Sequence, residues 1–165
     1  MKYPRGQTIV ETLIATVIFA IIVTPFINSV ANLTSSQIRN RHRSQAIQYA
    51  RGGIEIVYNL AINSPSWEGF AQLADNPEKI YHPTSYPDNL ALIEGEEIIG
   101  QRFVRQIKFK KAPRDESGNL DESSPTQEDQ NTIRATSLVS WEDRGKQEKV
   151  ELVTYLIDFE LIEGD

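Results

Sequence analysis

The chain has 165 residues, with 17 Lys and Arg against 23 Asp and Glu, two His and no Cys, and a mean hydropathy of -0.39, which is one domain's worth of ordinary composition. The lack of cysteine excludes a disulfide framework, a thiolate metal site and a cysteine nucleophile. The average hides a polarity: residues 1–60 carry 6 basic and 2 acidic side chains and residues 61–165 carry 11 and 21, so no direct nucleic-acid binding is expected of a domain without the clustered cations that phosphates require.

The chain opens with a short basic leader, Met-Lys-Tyr-Pro-Arg-Gly6, followed by Gln7-Thr8 and the apolar run IVETLIATVIFAIIVTPFI at residues 9–27. The nineteen residues of this run rise roughly 28 Å as a helix, close to the hydrocarbon thickness of a bilayer. A buried core helix is the other reading, but the run has no polar stripe and a small domain has little room to surround it. Its single charge is Glu11. A carboxylate in a spanning helix costs roughly 2.5–3.5 kcal/mol at the bilayer centre and less near the interface. Two readings of Glu11 stay open from the residues alone: it has a cationic partner, or it lies at headgroup level, where the helix dipole favours it. Beyond the run, Pro25-Phe-Ile-Asn28 offers no small-residue signal-peptidase site.

A basic leader ending in Gly6, a Glu five residues later and an uninterrupted apolar run together resemble the N-terminus of type IV prepilins and type II secretion pseudopilins. The resemblance implies that a prepilin peptidase removes residues 1–6, cutting between Gly6 and Gln7, and methylates the new N-terminus at Gln7. Residues 7–27 then form the transmembrane and assembly helix. It further implies that Glu11 pairs with the N-terminal ammonium of a neighbouring subunit, relieving two buried charges at once. The family prefers an aromatic residue or Met where this chain has Gln7. Pro25 matches the family's proline within this helix; it removes one backbone hydrogen bond and is expected to kink or loosen the helix.

On this resemblance the exported domain begins at residue 28. Ile47, Ala50, Ile54, Val57, Tyr58 and Ala61 recur at three- and four-residue spacings, predicting an amphipathic continuation of the helix to about residue 61. Gln45, Gln48, Arg51 and Glu55 fall on the opposite face, and Gly52-Gly53 weakens the helix by roughly 1 kcal/mol per Gly relative to Ala. Arg39, Arg41, His42 and Arg43 form the one dense basic cluster. It reads as a solvated face, as a contact with acidic faces of neighbouring subunits, or as a contact with anionic headgroups or nucleic acid. His42 and His82 are isolated and make no metal-ligand spacing, and Asn32-Leu-Thr34 matches a glycosylation sequon only at chance level. The segment ARGGIEIVYNLAINSPSW resembles the helix end of minor pilins.

Residues 62–96 read as a loop region punctuated by Pro65, Pro77, Pro83 and Pro87, with Trp67, Phe70, Leu73 and Tyr81 as anchors onto the helix. Antiparallel strands occupy 97–162. The first, 97–110, carries Phe103, Ile107 and Phe109 on one face if a bulge stands near Val104. Two more, 132–141 and 150–162, are joined by a Gly-containing hairpin turn at 142–146. In the last strand Val153, Tyr155, Ile157 and Phe159 alternate, imperfectly because Leu152 and Leu156 are apolar too, so both faces are expected to be partly covered. The stretch TSLVSWEDRGKQEKVELVTYL resembles the C-terminal hairpin of minor pilins and pseudopilins. Between the strands, 115–131 is polar and acidic; Asp115, Asn119 and Asp121 offer oxygens of the kind Ca²⁺ takes, without EF-hand spacing, or simply form a mobile hairpin loop.

The fold class expected is therefore α+β and pilin-like: one long N-terminal helix, membrane-spanning and then amphipathic, packed on a small antiparallel sheet. The function implied is that of a minor pilin or pseudopilin, a non-enzymatic filament subunit without cofactor or metal. Its partners would be prepilin peptidase, other pilin or pseudopilin subunits, the cytoplasmic membrane and an assembly platform, with the C-terminal domain outside the cytoplasm and later in an extracellular or periplasmic filament. The alternative is a signal-anchored exported binding protein with an acidic β domain. An enzyme is the third reading, against which stands the absence of a Ser-His, Cys-His or His-rich constellation. Cleavage after Gly6 separates the first reading from the second.

Overall fold

The computed structural model describes residues 5–86, 89–123 and 126–158. It is α+β, a long N-terminal helix with a six-stranded antiparallel sheet. Two compact units divide the chain, residues 1–42 and 43–165.

Helix α1 runs Arg5–Ile62. It stops where its sequence does: the Asn63 N–H and side-chain amide both donate to the Asn59 carbonyl, at 3.1 and 2.7 Å, and Pro65 follows, a stop signal that cannot continue the ladder. Ser66 then caps α2 (Trp67–Ala71), its hydroxyl accepting the Gly69 N–H at 3.3 Å, and one 3₁₀ turn, Gln72–Ala74, completes the excursion.

The strands are β1 (Tyr81–Tyr86), β2 (Asn89–Glu94), β3 (Glu97–Ile99), β4 (Phe103–Arg114), β5 (Gln127–Asp143) and β6 (Lys146–Ile157). Their order across the sheet is β2-β1-β4-β5-β6, with β3 also paired to β4. Pro83 is tolerated in β1 because the ladder to β4 is limited to Tyr81 opposite Ile107. Strands β5 and β6 turn at Arg144 and Gly145, whose φ values of 54° and 75° are those of the tight hairpin turn that matches strand twist.

One sheet face is apolar. On this face the buried residues include Phe103, Arg105, Ile107 and Phe109 of β4 and Ile133, Ala135, Ser137, Val139 and Trp141 of β5. The register sets large against small, Ile107 opposite Ser137 and Phe109 opposite Ala135. Over this face the second unit's part of α1 lays its smallest residues: Ala46, Ala50, Gly53 and Val57 are buried. One core cluster joins Ala46 and Ala50 to Phe103, Val139 and Trp141. The other joins Val57 to Phe70, Ile107, Phe109, Ile133 and Leu156, and there Phe109 meets Phe70 and Tyr81 edge-on, with centroids 5.9 and 5.7 Å apart.

Several sequence expectations need correction. Residues 62–96 are not simply loop, since α2, β1 and β2 lie there; prolines punctuate the segment without preventing an edge hairpin. The strand expected over 97–110 is two strands, because Gly100 and Gln101 adopt φ of 57° and 61° and reverse the chain. The ladder is regular around Val104, and the register shift falls between Lys111 and Ala112. In β6, where both faces were expected to be partly covered, the inward face is Leu152 and Leu156, whereas Val153 and Ile157 are 40% and 47% exposed. Tyr58, expected in the core, is 46% exposed. Residues 1–4, Pro87 and the end of the last expected strand, including Phe159, lie outside the described residues.

Candidate membrane and assembly helix

The residues singled out from the sequence, Gly6, Gln7, Glu11 and Pro25, all fall within α1. Gly6 and Gln7 belong to its first turn, and the Gln7 side chain lies outside the described residues. Glu11 follows Gly6 by roughly 7 Å along the axis. Its side chain is exposed and nothing pairs with it among the described residues. The helix passes through Pro25 without a break in assignment, although the Ile21 carbonyl there loses its usual N–H partner.

Around these positions the helix is apolar on every side. Ile9, Val10, Leu13, Ile14, Val17, Ile18, Phe19, Ile21, Ile22, Phe26 and Ile27 are all more than half exposed. Eleven such side chains left in water forgo roughly 15–30 kcal/mol of burial, more than the 5–15 kcal/mol or so that holds a whole domain folded. The helix is long and apolar enough to cross a membrane, with a mean hydropathy of 2.3 in its most apolar window.

Three of its threonine hydroxyls bond back onto their own helix. Thr16 donates to the Thr12 carbonyl, Thr24 to that of Ala20 at 2.8 Å, and Thr34 to that of Val30 at 3.0 Å. Each is an i to i−4 bond, which removes the polar cost of a hydroxyl facing hydrocarbon. Glu11 is thus the one ionisable group from residue 9 to residue 38.

The basic cluster forms a collar and not a stripe. Arg39 and Arg43 are one turn apart, and Arg41 is on the opposite side; all three are exposed and His42 is half-buried. Roughly 18 Å of helix separates Ile27 from Arg39, about twice the depth of a headgroup layer or more.

Elsewhere the polar groups are tied to one another. The Asp115 carboxylate accepts the backbone N–H groups of Asn119 and Ser117, at 2.8 and 2.9 Å, and the Asn119 amide. Those bonds, led by Asn119, hold it below the usual carboxylate range, and they turn its oxygens inward to the loop. Among the described residues no three His, Asp or Glu side chains stand together as metal ligands. The base of the same loop is clasped by Arg114, which reaches Asp129 (Nε to Oδ2, 2.7 Å), the Gly118 carbonyl and the Thr132 hydroxyl. Farther along, Glu122 accepts the Tyr155 hydroxyl and lies 2.8 Å from Arg134 Nε. Tyr155 first and Arg134 second lower the Glu122 carboxyl. A surface cleft of about 640 Å³ lies between this loop and residues 74–77, and two of its three cations, Lys111 and Arg134, are already paired with Asp75 and Glu122.

Two features escaped the sequence reading. Arg105 is 8% exposed, the only buried charged side chain among the described residues. It donates to Glu97 through Nε and Nη2, and through Nη1 to the Tyr49 carbonyl of α1 at 3.1 Å. Gly53 stands directly above it: a Cβ there would lie 2.6 Å from Ser137 Oγ and 3.4 Å from Arg105 Cδ. The inward position of Arg105, between Phe103 and Ile107 in a period of two, was the available signal. The glycine pair gave none beyond a helix-weakening penalty.

Comparison with known proteins finds no family model that matches the chain, and no curated protein or solved structure significantly similar to it.

Proposed function

We propose that the chain is a minor pilin or pseudopilin, a non-enzymatic structural subunit of a type IV pilus or type II secretion-like filament. The observation that carries this reading is the helix over residues 9–27, apolar and exposed on all sides, whose single carboxylate, Glu11, follows Gly6 by five residues. A membrane holds such a surface before assembly; neighbouring helices of the same kind hold it afterwards, exchanging lipid for helix–helix packing. The threonine hydroxyls closed onto their own helix suit both environments.

In this reading prepilin peptidase cuts between Gly6 and Gln7, and Gln7 becomes the methylated N-terminus. Glu11, unpartnered among the described residues, receives the terminal ammonium of the next subunit, which neutralises both charges and fixes their axial offset. Pro25 frees the Ile21 carbonyl and makes that turn the most easily bent. The acidic α+β domain stays outside the cytoplasm, and its partners are other subunits and the assembly platform.

The test is the intact mass of the protein from membranes of cells with and without a prepilin peptidase. Peptidase-dependent loss of residues 1–6 with one added methyl group is the expected result. An uncut chain in both would replace this reading with that of a signal-anchored exported protein.

A further inference from the structure

We infer that Gly52-Gly53 and the Arg105–Ser137 pair beneath it form an axial register key, which prevents α1 from sliding by one turn along the sheet. The need for a key follows from the packing. Three of the four helix residues buried against the sheet are Ala46, Ala50 and Gly53, a narrow small-residue strip flanked by Tyr49, which meets Phe103 edge-on at 5.3 Å, and Ala61 continues it one turn past Val57. Nonpolar attraction is non-directional and depends on area, so the strip discriminates weakly between registers. Nor does the hydrogen bond from Arg105 to the Tyr49 carbonyl select one alone, since every turn of a helix presents a carbonyl.

Shape supplies the selection. Arg105 and Ser137 rise from neighbouring strands into the space left by the missing side chain of Gly53, where a Cβ would lie 2.6 Å from Ser137 Oγ and 3.4 Å from Arg105 Cδ, while a Cβ at Gly52 would make an ordinary contact with Arg105 Nη1 at 3.9 Å. Displacing the helix by four residues brings either Ile56 and Val57 or Gln48 and Tyr49 to these two positions. A serine hydroxyl can swing from a methyl group. Neither it nor a guanidinium held by Glu97 on two nitrogens makes room for a β-branched side chain or an aromatic ring. The buried Arg105, held from the sheet edge by the half-buried Glu97, thus acts as a rigid tooth, the registry role for which buried charges are best attested.

The experiment uses the full chain in detergent micelles, with spin labels on cysteines placed at Ser44 and Glu128, exposed sites on α1 and β5. The chain has no native cysteine to interfere. Transplanting the notch by one turn (Gly52→Ile, Gly53→Val, Ile56→Gly, Val57→Gly) is expected to shift the label-to-label distance by about 5–6 Å. Removing the tooth (Arg105→Met with Ser137→Ala) is expected to give a folded chain with a second distance displaced by the same amount. A single native distance in either folded variant overturns the inference. Failure of the Arg105→Met, Ser137→Ala chain to fold overturns it as well, because a key selects among docked states without supplying the docking energy. Should the transplant not fold, the tooth-removal chain decides. Cleavage at Gly6 does not enter, so the outcome is independent of the filament reading.

Discussion

Replacing Phe109 by alanine tests the architecture of the second unit at its centre. The ring is fully buried on β4, flanked edge-on by Phe70 of α2 and Tyr81 of β1, and faces the small Ala135 across the ladder. Ala135 cannot grow into the space left behind, and the strands are held at fixed spacing by their backbone bonds, so little collapse is available. Truncation of a buried Phe typically costs about 3–5 kcal/mol, and each lost edge-on aromatic contact adds about 0.5–1.5 kcal/mol. The expected loss is therefore at the upper end, about 4–5 kcal/mol, a large part of the stability of an ordinary domain. Urea unfolding of the full chain in a mild detergent measures it, followed by tryptophan fluorescence; Trp67 lies tilted against Phe70, with ring centroids 6.0 Å apart, and reports on this cluster. A loss below about 2 kcal/mol, with the dependence on urea unchanged, would mean that α2 and β1 do not close over β4 as described.

Glu11→Ala is expected to leave unfolding of the domain unchanged and to lower incorporation into filaments, scored by co-purification with assembled material; normal incorporation would remove the charge pairing from the proposal. Asp129 is pushed up by burial but pulled down further by the Thr132 hydroxyl, the Asn131 N–H and Arg114, for a net lowering. A carboxyl lowered on folding contributes stability that is full above its unfolded value, near pH 4, and is lost as pH falls through the folded one. Asp129→Asn should accordingly flatten that acid-side decline, and an unchanged profile between about pH 2 and 5 would count against the Arg114 clasp. In β6, Leu156→Asp should prevent folding, whereas Val153→Asp should cost under about 1 kcal/mol; equal effects would show that the strand's inward face is misassigned.

How far these features were legible in the sequence depends on the kind of signal each one carried. The apolar run announced itself by length alone, and the amphipathic period located the helix face to within one residue, with Ala50 and Val57 buried and Tyr58 not. Strand periodicity placed the inward face of β4 at Phe103, Ile107 and Phe109 and the central part of β5, at 132–141, but missed the break before β4 and left the inward face of β6 open. Leu152, Val153, Leu156 and Ile157 are equally apolar, and only the pairing of Ser137 with Leu152 reveals which pair turns inward. Arg105 shows a different limit. A charge in a strand reads as a solvent-facing position, and its burial is bought by Glu97 and a helix carbonyl fifty-six residues away in sequence, a partner no local pattern contains. The reading of Gly6, Gln7 and Glu11 came from resemblance and not from periodicity, so chemistry on the cut chain must judge it.

The Arg114 clasp carries a practical consequence for anyone wishing to tag this protein. Because Arg114 and Asp129 close the loop at its base, the ordering of both strands does not depend on what the tip contains. Closing a longer loop costs little, about 0.6 kcal/mol for each doubling of its length. An epitope or a fluorophore-binding peptide inserted after Ser123, at an exposed position, should leave the sheet intact, place the reporter outside the helix-packing surfaces, and let single copies be followed in living cells without touching either end of the chain.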